Sequence, residues 1–214
     1  MKEKKRGYVS ETRDAQAAQT KSQILAAAKK LFQAQGFDRV TISQLANAAE
    51  VSMPTVYAIF KSKRGVLQSL IDHAFPPDQF ASLVHGAMNE KSPERRLCLA
   101  AKLARQIYDA ERGLIDLLRG ASVLAPEFKE LEQEREKRRY ERQGESVQKM
   151  LKEKSLAKEL TLQKARDILW TLTSRDLYRM FVIERGWTSD EYEKWLAQLL
   201  VRSMLEADAA AVLG

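Results

Sequence analysis

Apolar residues recur along this chain at helical spacing. Ile24, Leu25, Ala28, Leu31 and Phe32 fall at i, i+1, i+4, i+7 and i+8, which lines one face of an amphipathic helix opening at Thr20. Gly36 marks its end, because glycine accepts the left-handed conformation common just past a helix. Three short helices are predicted next. Thr41 caps one running to about Ala49, Ser52 caps one ending near Phe60, and Ser62 caps one from Lys63 to about Ala74. Pro76-Pro77 then breaks the chain. Beyond it the periodic segments lengthen, and helices are predicted at 78–89, 93–111, 113–123, 126–153, 161–185 and 189–207. Ser92-Pro93-Glu94 and Ser189-Asp190-Glu191 are start signals, with proline or acids in the first turn. No alternating run suggests a strand, so the expected fold class is all-α.

Composition narrows the class. Of 214 residues, 44% are hydrophobic and 30% charged, with 9 Gly and 5 Pro, which describes a folded, helix-rich chain. Residues 1–19 are polar and lack a hydrophobic period, and are expected to form a flexible basic arm. Residues 1–75 hold twelve Lys/Arg against six Asp/Glu, so most of the net charge of +7 lies at one end. That concentration suggests a polyanionic partner there. The lone Cys98 cannot close an intrachain disulfide, which fits a reducing cytoplasm. No apolar run approaches the roughly 20 residues of a membrane span, and no apolar segment follows the basic start as in a signal peptide. With 2 His and 1 Cys, no metal site is expected. The chain lacks a Gly-rich phosphate loop, HExxH or Gly-x-Ser-x-Gly, so neither a cofactor nor an enzyme is expected.

The segment Ile42–Phe60 has the pattern of a helix-turn-helix. Ala46 is small where two helix backbones approach, while Leu45, Ala49, Val51, Val56 and Ile59 face a shared core. Ser52 starts the second helix and points its free N–H groups outward. The turn usually carries glycine at positive φ; here it is Glu50, at a cost of about 1–2 kcal/mol.

Residues 20–66 resemble the DNA-binding domain of the TetR (tetracycline-repressor-like) family. The residues that carry the likeness are the helix Ile24–Phe37, then Thr41-Ile42-Ser43-Gln44-Leu45-Ala46, Val51-Ser52-Met53-Pro54-Thr55-Val56-Tyr57 and Phe60-Lys61-Ser62-Lys63. The region Leu169–Ser174 through Glu184–Trp187, with Tyr192 and Trp195, is similar to the family's C-terminal part. The resemblance implies a three-helix DNA-binding domain at 20–75, with its motif at 41–60. A larger helical bundle at 78–214 would bind an effector and dimerise.

Thr41, Ser52, Tyr57, Lys61 and Lys63 would then contact phosphates, while Met53, Pro54, Thr55 and Ala58 would face bases. The family often has Lys-Gly where this chain has Met53-Pro54, which favours apolar contact with thymine methyls over bidentate reading of guanine. The partners implied are double-stranded DNA with a two-fold symmetric operator, a second copy of the chain, and a small organic effector. The function implied is transcriptional regulation, with repression relieved by the effector. The alternative is an effector-independent regulator whose large domain only dimerises or binds protein.

The 161–185 helix would span about 37 Å and present Leu169, Leu172 and Met180 to a dimer interface. Leu196, Leu199, Leu200 and Met204 would join them from 189–207. Candidate effector contacts are His85, Met88, Arg105, Tyr108 and Trp170, polar or polarisable residues on otherwise apolar faces. The charge-dense run Glu130–Glu145 reads as the solvated face of a long helix.

Overall fold

The computed structural model describes residues 4–114 and 126–206. One compact unit runs through His73 and a second takes up from Ala74. Regular structure among the described residues is helical, with one isolated antiparallel bridge between Leu156 and Leu205.

The first unit holds α1 (Lys4–Gln35), α2 (Ile42–Ala48), α3 (Met53–Phe60) and α4 (Lys63–Asp72). The expected arm is not one: from Lys4 onward these residues continue α1 as helix. A hydrophobic period is needed to bury a helix face but not to extend a helix already nucleated. The segment ahead of Thr20 has no proline and is rich in Lys, Arg, Glu, Ala and Gln, all good helix formers.

α1 packs on α2 and α4, α2 on α3, and α3 on α4. Ile24, Ala28, Phe32, Val40, Leu45, Val56, Val66 and Leu67 are buried. Helices of 7, 8 and 10 residues do not persist alone in water, so their ends must be secured. Thr41 and Gln44 form a reciprocal capping box, and Ser52 and Ser62 accept from the third backbone N–H of their helices.

Two turn positions set the connections. Glu50 takes φ 55, the left-handed geometry expected of the motif. Val51 N–H donates to Ala46 O and Glu50 N–H to Asn47 O, the paired bonds of a Schellman ending. Gly65 has a different role that the sequence pattern did not reveal. A Cβ there would lie 1.9 Å from the Phe60 carbonyl oxygen, so α4 can start this close to the end of α3 only with glycine.

The second unit contains α5 (Pro77–Asn89), α6 (Pro93–Glu111), a 3-10 turn at Arg112–Leu114, α7 (Pro126–Lys152), α8 (Leu162–Leu172), α9 (Arg175–Tyr178), a π-helical stretch Arg179–Glu184, and α10 (Ser189–Met204). Beyond Leu114, the helix predicted at 113–123 lies outside the described residues. α6 packs on α10 and α5, α7 on α8, and α8 on α10. Their core includes Leu97, Ala101, Tyr108, Val147, Met150, Leu169, Tyr178, Tyr192 and Leu196.

The single helix predicted at 161–185 is broken. Thr173 ends α8 and Ser174 caps α9. The Thr173 hydroxyl donates to Leu169 O at 2.6 Å, and such back-bonding competes with helix continuation. The break changes which side chains face outward. Leu169, Leu196, Leu200 and Met204 are 0–2% exposed within a single protomer, so they have no surface left for a partner, contrary to the expected interface. Their apolar stripe is consumed by the protomer's own core. Leu172 and Leu199 are half-buried, and Met180 is 46% exposed.

Gly65→Ala is expected to destabilise the chain by at least about 1–3 kcal/mol through backbone overlap. Glu50→Gly is expected to raise stability by about 0.5–1 kcal/mol, by relieving left-handed strain partly offset by glycine's greater unfolded freedom. Urea denaturation followed by circular dichroism measures both. A neutral Gly65→Ala would refute the close-approach account.

Candidate nucleic-acid interface and ligand cavity

α3 carries the outward face of the first unit. Val56 and Phe60 point into the core, whereas Ser52, Met53, Pro54, Tyr57, Ala58 and Lys61 are exposed. Tyr57 is 50% and Met53 47% exposed, unusual for large side chains on a helix with a buried opposite face. Pro54 falls in the first turn, where its missing N–H leaves no intrahelical bond unmade.

Thr55 is only half-exposed, and its hydroxyl lies 2.8 Å from the Ser52 hydroxyl. The fully exposed side chains of α3 itself are therefore Met53, Pro54, Tyr57 and Ala58. Thr41 is exposed at the start of α2, with its oxygen engaged by Gln44. Lys61 ends α3 at φ 67 and donates to Ala58 O at 3.0 Å.

Lys63 does not fit the expected set. Its ammonium donates to Phe37 O at 2.9 Å and Asp38 O at 3.2 Å, and lies 4.3 Å from the Phe37 ring centroid. It closes the loop between α1 and α2 from inside the unit, so its charge serves the fold before any ligand. No local pattern signals this role, since the partner groups are backbone carbonyls 25 and 26 residues away.

The second unit holds a cavity of about 80 Å³, open on one side, between α5, α6, α7 and α8. Met88 and Tyr108 line it, as expected. His85, Arg105 and Trp170 do not. His85 is exposed and bonded to Asn89. Arg105 pairs with Asp109 at 2.8 Å and with Asp190. Trp170 meets Tyr140 edge-on at 6.1 Å and lies beneath Arg139.

The polar wall comes instead from α7, as Arg139, Arg142, Gln143 and Ser146. The run Glu130–Glu145 is therefore not simply a solvated face. Arg139, Arg142 and Ser146 follow one another at spacings of three and four, in step with buried Val147 and Met150. That helical period was the available signal. Tyr108 is buried and its hydroxyl donates to Thr173 O at 2.8 Å; burial pushes its pKa up, keeping it a neutral donor.

Residues 24–70 match the family described as bacterial regulatory proteins, tetR family. That segment, about a fifth of the chain, is similar to the family's DNA-binding region. Its N-terminal part is 45% identical over 49 residues to the HTH-type transcriptional regulator EthR of Mycolicibacterium smegmatis, covering 23% of each chain. The chain spans 23% and 39% of the length of the curated relatives it matches.

Over nearly its whole length the chain shares its fold with solved structures. NalD of Pseudomonas aeruginosa, called the secondary repressor of a multidrug efflux pump, superposes with TM-score 0.70 at 21% identity, covering 89% of this chain and 99% of that one. SmeT in complex with triclosan superposes with TM-score 0.71 at 15% identity, covering 89% and 93%. Among the described residues no helix is long and apolar enough to cross a membrane.

Lys63→Met is expected to lower the melting temperature, because two carbonyls lose their donor and the Phe37 ring its cation. Tyr57→Phe is expected to leave it unchanged while weakening DNA binding by about 1 kcal/mol. Thermal denaturation and fluorescence anisotropy on the same preparations separate the two, and a Tyr57→Phe protein with lowered melting temperature would contradict the assignment.

Proposed function

We propose that the chain is a cytoplasmic, sequence-specific DNA-binding transcriptional regulator, a homodimeric repressor released from a two-fold operator by a small organic molecule held in the second unit. The observation that carries this reading is α3: a capped, rigid helix on a packed three-helix base, with large side chains directed outward. Met53, Pro54 and Ala58 offer apolar contact to thymine methyls, Tyr57 a hydroxyl to phosphate, and Ser52 and Thr41 helix starts to the backbone. Residues 20–75 are assigned to DNA reading and 78–214 to effector binding and dimerisation.

Dimerisation follows from the size of one reading head, which rarely reaches specific affinity alone; half-sites are then expected about 34–36 Å apart or at a multiple. With the leucines of α8 and α10 largely consumed internally, the apolar side chains left for a partner are Met180 and, in part, Leu172 and Leu199. The cavity favours effector control over the effector-independent alternative, as do NalD's description as a repressor and SmeT's complex with triclosan. Release requires that the ligand bind the DNA-incompetent conformation more tightly, and by that ratio alone.

The operator is to be found by sequencing DNA selected on the purified protein. Replacing Met53 or Pro54 by Ala is expected to change the preferred bases, whereas Tyr57→Phe lowers affinity uniformly. Unchanged preference in both α3 variants would remove α3 as the reader. Met180→Asp is expected to shift the dimer toward monomer in analytical ultracentrifugation and to cost operator affinity at least about tenfold. A dimer unaffected by Met180→Asp would place the interface elsewhere.

A further inference from the structure

Three guanidinium groups line the cavity, from Arg96, Arg139 and Arg142, and among the described residues no carboxylate does. Two of the three are already answered. Arg96 is held by Glu153 at 2.8 Å and donates to Glu90 O. Arg139 is held by Glu136 at 2.5 Å and donates to Trp170 O and the Thr173 hydroxyl. Arg142 has neither a hydrogen bond nor an ion pair among the described residues. Its guanidinium lies 4.8 Å from the Phe80 ring centroid. Burial, and then the Arg139 charge, lower its pKa, while Tyr108, Glu145 and Glu136 oppose them from a distance. A partly buried cation with no directly bonded partner is stabilised when an anion joins it.

The neighbouring polar groups define the other half of the recognition. The Thr173 hydroxyl gives its hydrogen to Leu169 O, so it can only accept from Gln143. That fixes the Gln143 amide nitrogen toward Thr173, at 2.8 Å, and leaves its buried Oε1 without a partner. Ser146 stands one turn beyond Arg142 on α7, within reach of the same ligand group. Among the described residues the cavity thus offers one cation without a bonded partner, a hydroxyl one turn along the same helix, and one unpaired acceptor. Val84, Ala87, Ala100, Leu103 and Ile107 supply apolar walls.

We propose that this cavity selects small apolar monocarboxylic acids, with the carboxylate paired to Arg142 and Ser146 and the hydrocarbon body against α5 and α6. The proposal rests on reading the cavity as the effector site and names the chemistry of its occupant. A second carboxylate would meet the Gln143 oxygen and be repelled; a cationic ligand would meet three guanidinium groups. The cavity is small, about 80 Å³, and open to solvent on one side, so a short hydrocarbon body can extend from it toward the mouth.

Isothermal titration of the full chain with hexanoate, hexanamide and hexylammonium compares one body bearing three charges. Hexanoate is expected to bind at least about tenfold more tightly than hexanamide, and hexylammonium not at all. Arg142→Met keeps the apolar stem, and should bring hexanoate down to the affinity of hexanamide while leaving hexanamide unchanged. Failure of all three to bind, preference for the amide or ammonium, or an Arg142→Met protein that keeps the preference for hexanoate overturns the proposal. Operator binding measured alongside keeps the two readings apart. Tight hexanoate binding that never releases DNA refutes effector control but not the acid site, whereas release by a neutral or cationic ligand alone refutes the acid site but not effector control.

Discussion

The second unit is organised around Thr173, where a helix ends in the protein interior. A helix that stops away from water leaves carbonyl groups that must find donors, and here the donors come from other helices. Tyr108 of α6 donates to the Thr173 carbonyl, Arg139 of α7 to the Trp170 carbonyl and the Thr173 hydroxyl, and Gln143 of α7 to that same hydroxyl. One residue therefore ties α6, α7 and α8 together, and the groups that satisfy it also form the polar wall of the cavity. Architecture and recognition chemistry are the same set of bonds: Gln143 presents a bare oxygen because its amide nitrogen is needed at the helix end.

The first unit solves a different problem with similar means. Its helices are too short to stand on propensity, and their stability comes from caps and turns that leave little slack. The capping box at Thr41, the serines at 52 and 62, and the Schellman bonds around Glu50 fix the direction of each helix relative to the next within the unit. The outward side chains of α3 are thus presented by a rigid base, which reduces the ordering cost of binding.

Much of this was legible in the sequence, because helical periods, caps and the Glu50 turn are local. The starts of α2, α3, α4, α6 and α10 follow from a serine or threonine ahead of a periodic run. The positive φ at residue 50 followed from its place in the motif. What escaped depended on contacts far apart in sequence. The break at Thr173 lies within an apolar period interrupted only by Asp176, and donors from α6 and α7 satisfy the helix end there. Leucines at the spacing of a dimer seam turned out to fill the protomer core, since a stripe of that width serves either purpose. The cavity arginines were hidden in a charge-dense stretch whose inward period was masked by the acidic residues between them.

Lys63 carries a consequence for how solution conditions act on this chain. Binding to DNA draws its salt dependence from cations that displace ions condensed on the phosphates, with log affinity falling by about 0.9 per phosphate neutralised for each tenfold rise in salt. A lysine whose ammonium is bonded to the Phe37 and Asp38 carbonyls and faces an aromatic ring displaces none. Met53, Pro54, Tyr57 and Ala58, the outward face of α3, carry no charge either. A polyanion held through that face alone would keep its grip as salt rises, because no ion is exchanged there.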